Sequence, residues 1–309
     1  MRNGMVPAHA RRNYPDGLKV GEWRAIDGFK HRCFRLAAAS LPRGRLLFLG
    51  GRGDFFEKYL EAFGYWAASG WDVSGFDWRG QGGSGLTHPD GYCHVADFAT
   101  MVDDLAGFAD KWRIDDGLSH IALGHSLGGH LLLRALAERR IACDAAVLLA
   151  PMLGIRAGVL GAKAVNFFGL VGRVPCLAHR PLWKGQPRSN PGHLTSCPDR
   201  HADKLWWKAK HPEIARGGPT WLWLAAAARS MTLLERQLRQ NAPGLPVLLL
   251  TGARDRVVDA ASIARIGALL PGLRPQTIAS GGHELLRESN GPRLATLSAI
   301  ESFLAGYCR

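Results

Sequence analysis

The spacing of apolar and polar positions changes several times along the chain, and each change marks an element. Leu46–Leu49 is an unbroken apolar run ending in Gly50-Gly51, the pattern of a strand buried on both faces of a parallel sheet. Phe55, Phe56, Tyr59, Leu60 and Phe63 then recur at helix-face spacing. Trp71–Trp78 reads as a strand, Phe98–Trp112 as a helix, His120–Gly124 as a strand, Leu127–Glu138 as a helix and Ala145–Ala150 as a strand. Ahead of these, Lys19–Ala25 and His31–Ala37 read as short strands around Asp27-Gly28. Alternation of strand and helix predicts right-handed crossovers and a mostly parallel, doubly wound α/β sheet.

The alternation stops near Pro151. From Met152 to Gln240 the chain is rich in Gly, Pro, Trp and basic residues and contains no clear strand run. It resumes with a strand at Pro246–Thr251, a helix at Ala260–Leu270, a strand at Arg274–Ser280 and a helix at Arg293–Ala305. The expected organisation is an α/β core in two parts, 1–151 and 241–309, interrupted by an inserted helical cap, 152–240.

Composition narrows the class. Of 309 residues, 47% are hydrophobic and 21% charged, which excludes a disordered chain. Met1–Tyr14 carries three Arg but no apolar stretch follows, so it does not read as a secretory signal. The apolar stretches Ala157–Val171 and Trp221–Ala228 are interrupted or too short to span a membrane, which takes about 18 residues. The six Cys are scattered without a Cys-x-x-Cys pair, against a zinc ribbon or a redox motif. His193, His201 and His211 lack tight metal-ligand spacing, and no metal or other cofactor is expected. These features fit a cytoplasmic chain. Lys plus Arg is 39 against 26 Asp plus Glu, a net charge of +13. The excess fits peripheral contact with an anionic membrane at its inner face, or a solvated basic surface. No nucleic-acid module accompanies it, so no nucleic-acid partner is expected. Oligomeric state is not encoded in any pattern found.

The chemistry concentrates at three strand ends. Gly124-His125-Ser126-Leu127-Gly128 is Gly-x-Ser-x-Gly between a predicted strand and a predicted helix, the setting of a nucleophile elbow. Gly124 and Gly128 keep the turn tight, and Ser126 sits at a helix N-terminus, where developing negative charge is favoured. A serine hydroxyl needs a base, and in this architecture acid and His follow the Ser in chain order. Asp255 follows the strand ending at Thr251, and His283 lies in Gly281-Gly282-His283-Glu284 after the last strand. Singly, such an Asp is more often a helix cap and such a His a surface residue; in this order they read as a triad. Asp259 is the alternative acid. The oxyanion donors are expected to be the Leu127 N–H and, from the loop after the first buried strand, the Arg52 N–H, with Gly51 as the alternative.

With Asp77–Gly85, Gly50–Phe55, Ala150–Gly154, Gly217–Trp221 and His283–Glu288, these motifs resemble the α/β-hydrolases. More narrowly, they resemble the bacterial lysophospholipase and monoacylglycerol lipase group, the serine aminopeptidase-like hydrolases. Gly217–Trp221 looks closer to the lysophospholipase branch, and Gly50-Gly51 departs from the His-Gly usual in monoacylglycerol lipases. The resemblance implies a small lipid ester as substrate, capped by 152–240, with Gly51, Met152 and Trp221 touching it. Lysophospholipase activity is the first expectation, a monoacylglycerol lipase or general carboxylesterase the alternative, and a non-catalytic binding protein a further class. Five of the ten Trp fall in the insert, where they line an acyl tunnel or form the cap's own core. The insert is also basic, which suits a phosphate head group at ~1 kcal/mol per nearby Lys or Arg, or else is solvated charge.

Overall fold

The computed structural model describes residues 6–154, 174–183 and 193–307. Eight strands form one sheet: β1 (Leu18–Arg24), β2 (Lys30–Leu36), β3 (Gly44–Leu49), β4 (Trp71–Phe76), β5 (Ser119–His125), β6 (Ala145–Leu149), β7 (Val247–Gly252) and β8 (Leu273–Ile278). Their order is β1-β2-β4-β3-β5-β6-β7-β8. β1 and β2 pair antiparallel and β2 joins β4 antiparallel; every later pairing is parallel. The mostly parallel sheet expected from the alternation is therefore present, with β1 and β2 as its antiparallel edge.

The helices are α1 (Ala8–Arg11), α2 (Leu60–Ala68), α3 (Phe98–Trp112), α4 (Leu127–Ala137), α5 (Pro175–Ala178), α6 (Pro198–Lys210), α7 (Trp221–Gln240), α8 (Ala260–Gly267) and α9 (Asn290–Leu304). Successive side chains of a strand point to opposite faces, and β3 divides accordingly. Leu47 and Leu49 join an apolar cluster with α3, α4, α7 and α8, whereas Leu46 and Phe48 join another with α2 and α9. The sheet is thus wound on both faces. β5 and β6 are buried along their whole length, as central strands of a sheet covered on both faces are.

Within 152–240, the described residues hold α5, α6 and α7 and only single bridges, Cys93 to Pro219 and Pro181 to Thr220. Thr220 starts α7 by accepting the Trp223 N–H at 3.2 Å. The inner face of α7 (Trp223, Ala227, Leu234, Leu238) is buried in the same cluster as α3 and α4, so this end of the insert rests directly on the core. The stretch Ala157–Val171 lies outside the described residues. Among the described residues no helix is long and apolar enough to cross a membrane.

Candidate active site

Ser126 stands between β5 and α4 with φ +50° and ψ −111°. A non-glycine residue held in this left-handed region costs about 1–3 kcal/mol and needs a surrounding structure that fixes it. Here the Ser126 N–H donates to the Leu149 carbonyl at 2.9 Å, and its own carbonyl accepts from Met152 N at 2.9 Å and His130 N at 3.1 Å. Both flanking glycines are required for close approach. A Cβ on Gly124 would sit 2.6 Å from the Gly128 carbonyl carbon and the Gly129 Cα, and one on Gly128 would sit 2.6 Å from the Gly50 carbonyl oxygen.

The loops after β7 and β8 bring the other two groups to Ser126. His283 Nε2 is 3.0 Å from Ser126 Oγ, and its Nδ1 is 2.8 Å from Asp255 Oδ2. With Nδ1–H donating to the carboxylate, Nε2 is left to accept the serine proton. Asp255 Oδ1 accepts from Val257 N at 2.7 Å and Val258 N at 3.3 Å. Burial opposes ionisation of Asp255, but the hydrogen bond and charge of His283 and these two N–H groups outweigh it, and its pKa lies below the ordinary value. Burial pushes the His283 pKa down, against the pull of the Asp255 hydrogen bond. The other candidate acid is engaged elsewhere: Asp259 caps α8, accepting the Ser262 N–H at 2.9 Å and its hydroxyl at 2.5 Å.

The loop after β3 separates its two candidate donors. The Gly51 N–H is already given to Asp54 Oδ2 at 2.7 Å. The Arg52 and Leu127 N–H groups donate to no described residue. Those two amides are the ones left available to a ligand.

Behind the Ser and His lies a buried polar network that the sequence patterns did not reveal. Lys58 pairs with Asp54 and, at 2.7 Å, with Glu284, which also pairs with Arg287. Tyr59 Oη donates to Asp54 Oδ2 at 2.6 Å and lies 3.0 Å from His125 Nδ1. Burial raises the pKa of both carboxyls, yet Lys58, with His125 beside Asp54 and Arg287 beside Glu284, holds each below its ordinary value. Asp54 and Lys58 are four apart on the sequence, the spacing of a helical ion pair, and that was the one available signal. Further out, Arg79 makes a bidentate pair with Asp104 at 2.7 and 2.6 Å, tying the Asp77–Gly85 loop to α3 as a scaffold.

Ser126 and His283 open into a cavity of about 330 Å³. Gly51, Arg52, Met152, Trp223 and Leu224 line it. Trp221 does not: it opens α7 with its N–H on the Arg180 carbonyl at 3.1 Å, and Trp223 faces the cavity in its place. Two positions along a helix turn a side chain through about 200°, so only one of the two can face one way. Lys204, Lys208 and Arg216 form a cationic stretch of the wall. Burial pushes the pKa of Lys204 and of Lys208 down to about 8.

Comparison with known proteins gives the chain's relatives and its family. The chain is 30% identical to lysophospholipase L2 of Escherichia coli K12, over 91% of this chain and 86% of that protein. It is 26% identical to a probable lysophospholipase L2 of Haemophilus influenzae, over 86% and 85%. Among solved structures, a monoglyceride lipase from Saccharomyces cerevisiae superposes with a TM-score of 0.76 at 16% identity, covering 94% of this chain and 96% of that one. A monoacylglycerol lipase from Paleococcus ferrophilus gives 0.70 at 19%, covering 89% and 99%. These two likenesses concern the α/β-hydrolase fold. The model of the family described as serine aminopeptidase, S33, matches residues 40–290, a span that contains the elbow, Asp255 and His283 together, and the chain belongs to that family.

Proposed function

We propose that this chain is a serine hydrolase of lipid carboxylic esters, a lysophospholipase before a monoacylglycerol lipase or a general carboxylesterase. The observation that carries the reading is the run of two hydrogen bonds, Ser126 Oγ to His283 Nε2 and His283 Nδ1 to Asp255, at the wall of a cavity lined by both apolar and cationic side chains. The similarity to lysophospholipase L2 over nine-tenths of the chain supports the choice of substrate class.

In this reading Ser126 Oγ attacks the acyl carbonyl carbon while its proton passes to His283 Nε2. The Arg52 and Leu127 N–H groups receive the negative charge that develops on the carbonyl oxygen. Asp255 fixes the His283 tautomer and stabilises the imidazolium. The C–O bond to the head group breaks, and the leaving alkoxide takes the proton from His283. Water then gives a proton to His283 and attacks the acyl-enzyme, which releases the fatty acid and restores Ser126. The stretch 152–240 supplies the cover of the site, through Leu182, Trp183, Leu194 and the cationic wall. A cytoplasmic enzyme touching the inner membrane face through its basic excess fits a lipid substrate.

The test is fatty-acid release from a lysophospholipid and a monoacylglycerol in parallel, with Ser126→Ala as the control. Faster, Ser126-dependent release from the lysophospholipid is expected. Release that persists in Ser126→Ala, or none from any ester, overturns the reading.

A further inference from the structure

The cavity wall carries more positive than negative charge, and the imbalance is local. Its two carboxylates, Asp54 and Glu284, are both held by Lys58, and Glu284 by Arg287 as well. Four other cations line the same cavity: Arg52, Lys204, Lys208 and Arg216. Arg52 lies over the Trp183 ring, 5.5 Å from its centroid, and Arg216 donates to the Ser84 carbonyl at 3.0 Å.

Lys204 is the informative member. Its side chain is only 8% exposed and lines the cavity, yet it makes no ion pair or hydrogen bond with a described residue. Lys208 is one helical turn further along α6 and lines the same wall. Like charges at this spacing repel, and burying an ammonium without a partner is unfavourable. An anion bound against α6 removes both penalties. Solvated charge does not account for a lysine that is nine-tenths buried.

We propose that Lys204 and Lys208, supported by Arg216, form a phosphate subsite that seats the head-group phosphodiester of a lysophospholipid while its acyl carbonyl lies at Ser126. The proposal rests on the hydrolase reading above and deepens it by naming the residues that select the head group. Ser126 and the two lysines line one cavity, so a single ligand reaches both. A neutral monoacylglycerol brings no charge to this wall and so adds nothing to hold the Lys204 ammonium. Both ammonium groups, with pKa values pushed down to about 8, remain predominantly protonated at pH 7.

Calorimetric titration of the Ser126→Ala protein tests the subsite without turnover. The probes are 1-octanoyl-glycerophosphocholine, 1-octanoylglycerol and inorganic phosphate. Adding Lys204→Gln to Ser126→Ala is expected to weaken the phosphocholine lipid about tenfold or more, while its effect on octanoylglycerol stays within about twofold. Lys208→Gln is expected to act in the same direction, and Lys204→Arg to restore most of the loss. Equal weakening of both lipids, or none, overturns the subsite. Inorganic phosphate binding as tightly as the phosphocholine lipid overturns the head-group assignment in favour of free phosphate. The two readings fail separately. Lys204-dependent lipid binding with no ester cleaved by the unmodified protein removes the hydrolase; Ser126-dependent cleavage with Lys204-independent binding removes the subsite.

Discussion

His125 holds the backbone of His283: its Nε2 donates to the His283 carbonyl at 3.2 Å, with the two ring centroids 5.0 Å apart. The residue immediately before Ser126 thus fixes the loop that carries His283. The other nitrogen of His125 meets Tyr59 Oη at 3.0 Å and Asp54 Oδ2 at 3.3 Å, on the far side of which Lys58 reaches Glu284. The loop after β3 and the loop that carries His283 are therefore tied to each other by side chains as well as through the sheet.

His125 is a positioning residue for His283. Replacing it by Ala frees the 283 loop and also trims the cavity wall beside Ser126, which His125 helps to line. The expected outcome is a fall of about tenfold to a hundredfold in kcat with KM changed less than about threefold. His125→Gln, which keeps a donor, is expected to recover part of the rate. Steady-state kinetics on one lysophospholipid would reveal a purely binding role as a change in KM alone.

The two candidate acids differ in what they hold. Asp255→Asn removes the charge beside His283 and misorients its tautomer, and a loss of about 10³- to 10⁴-fold in kcat is expected. Asp259→Asn loses the hydrogen bond to the Ser262 hydroxyl and part of the α8 cap. It is expected to cost stability, at most about 1 kcal/mol, with kcat nearly unchanged. Turnover and urea denaturation of the two variants side by side check the assignment; the reverse pattern would move the acid to Asp259.

The pH profile follows from His283. Attack requires the neutral imidazole, and burial lowers the pKa of this group below its ordinary value. Below that pKa the base is protonated and the rate falls; above it the rate is level. The acid limb of kcat/KM is therefore expected at a midpoint below about 6.5, the value of an unperturbed histidine. A midpoint at or above it in a rate profile on a neutral ester contradicts the burial argument.

The parts of this molecule that the sequence made legible are those fixed by local physics. β3, β5 and β6 are covered on both faces over most of their length, so each carries a short apolar stretch, and the three chemical residues follow directly after strands or a tight Gly turn. Helix phase was not legible: whether Trp221 or Trp223 faces the ester depends on the Thr220 cap and on how α7 settles against α3 and α4. Nor was the Lys58–Glu284 pair, whose members are 226 positions apart and meet only once the sheet has assembled. The charge of Lys204 was visible as one basic residue among many; that it is buried and faces the nucleophile's cavity is a property of the fold.

Lys58 gives the clearest stability prediction. It is almost wholly buried between Asp54 and Glu284, both of which are buried too. Lys58→Met keeps the stem's bulk and removes the charge, leaving two carboxylates short of a partner. Breaking a buried pair in this way costs about 3–5 kcal/mol. The sign with pH is fixed by the direction of the shifts. In the unmodified protein both carboxyl pKa values lie below their unfolded values, so their contribution is complete above about pH 5 and is lost as pH falls through the folded pKa. In Lys58→Met the folded pKa values rise, because burial then meets less opposition. The deficit is therefore largest near pH 7 and shrinks as both carboxyls take up protons in acid. Urea denaturation of the two proteins at pH 7 and at pH 4.5 measures the difference, and a deficit that grew on acidification would mean that Lys58 does not hold these two charges.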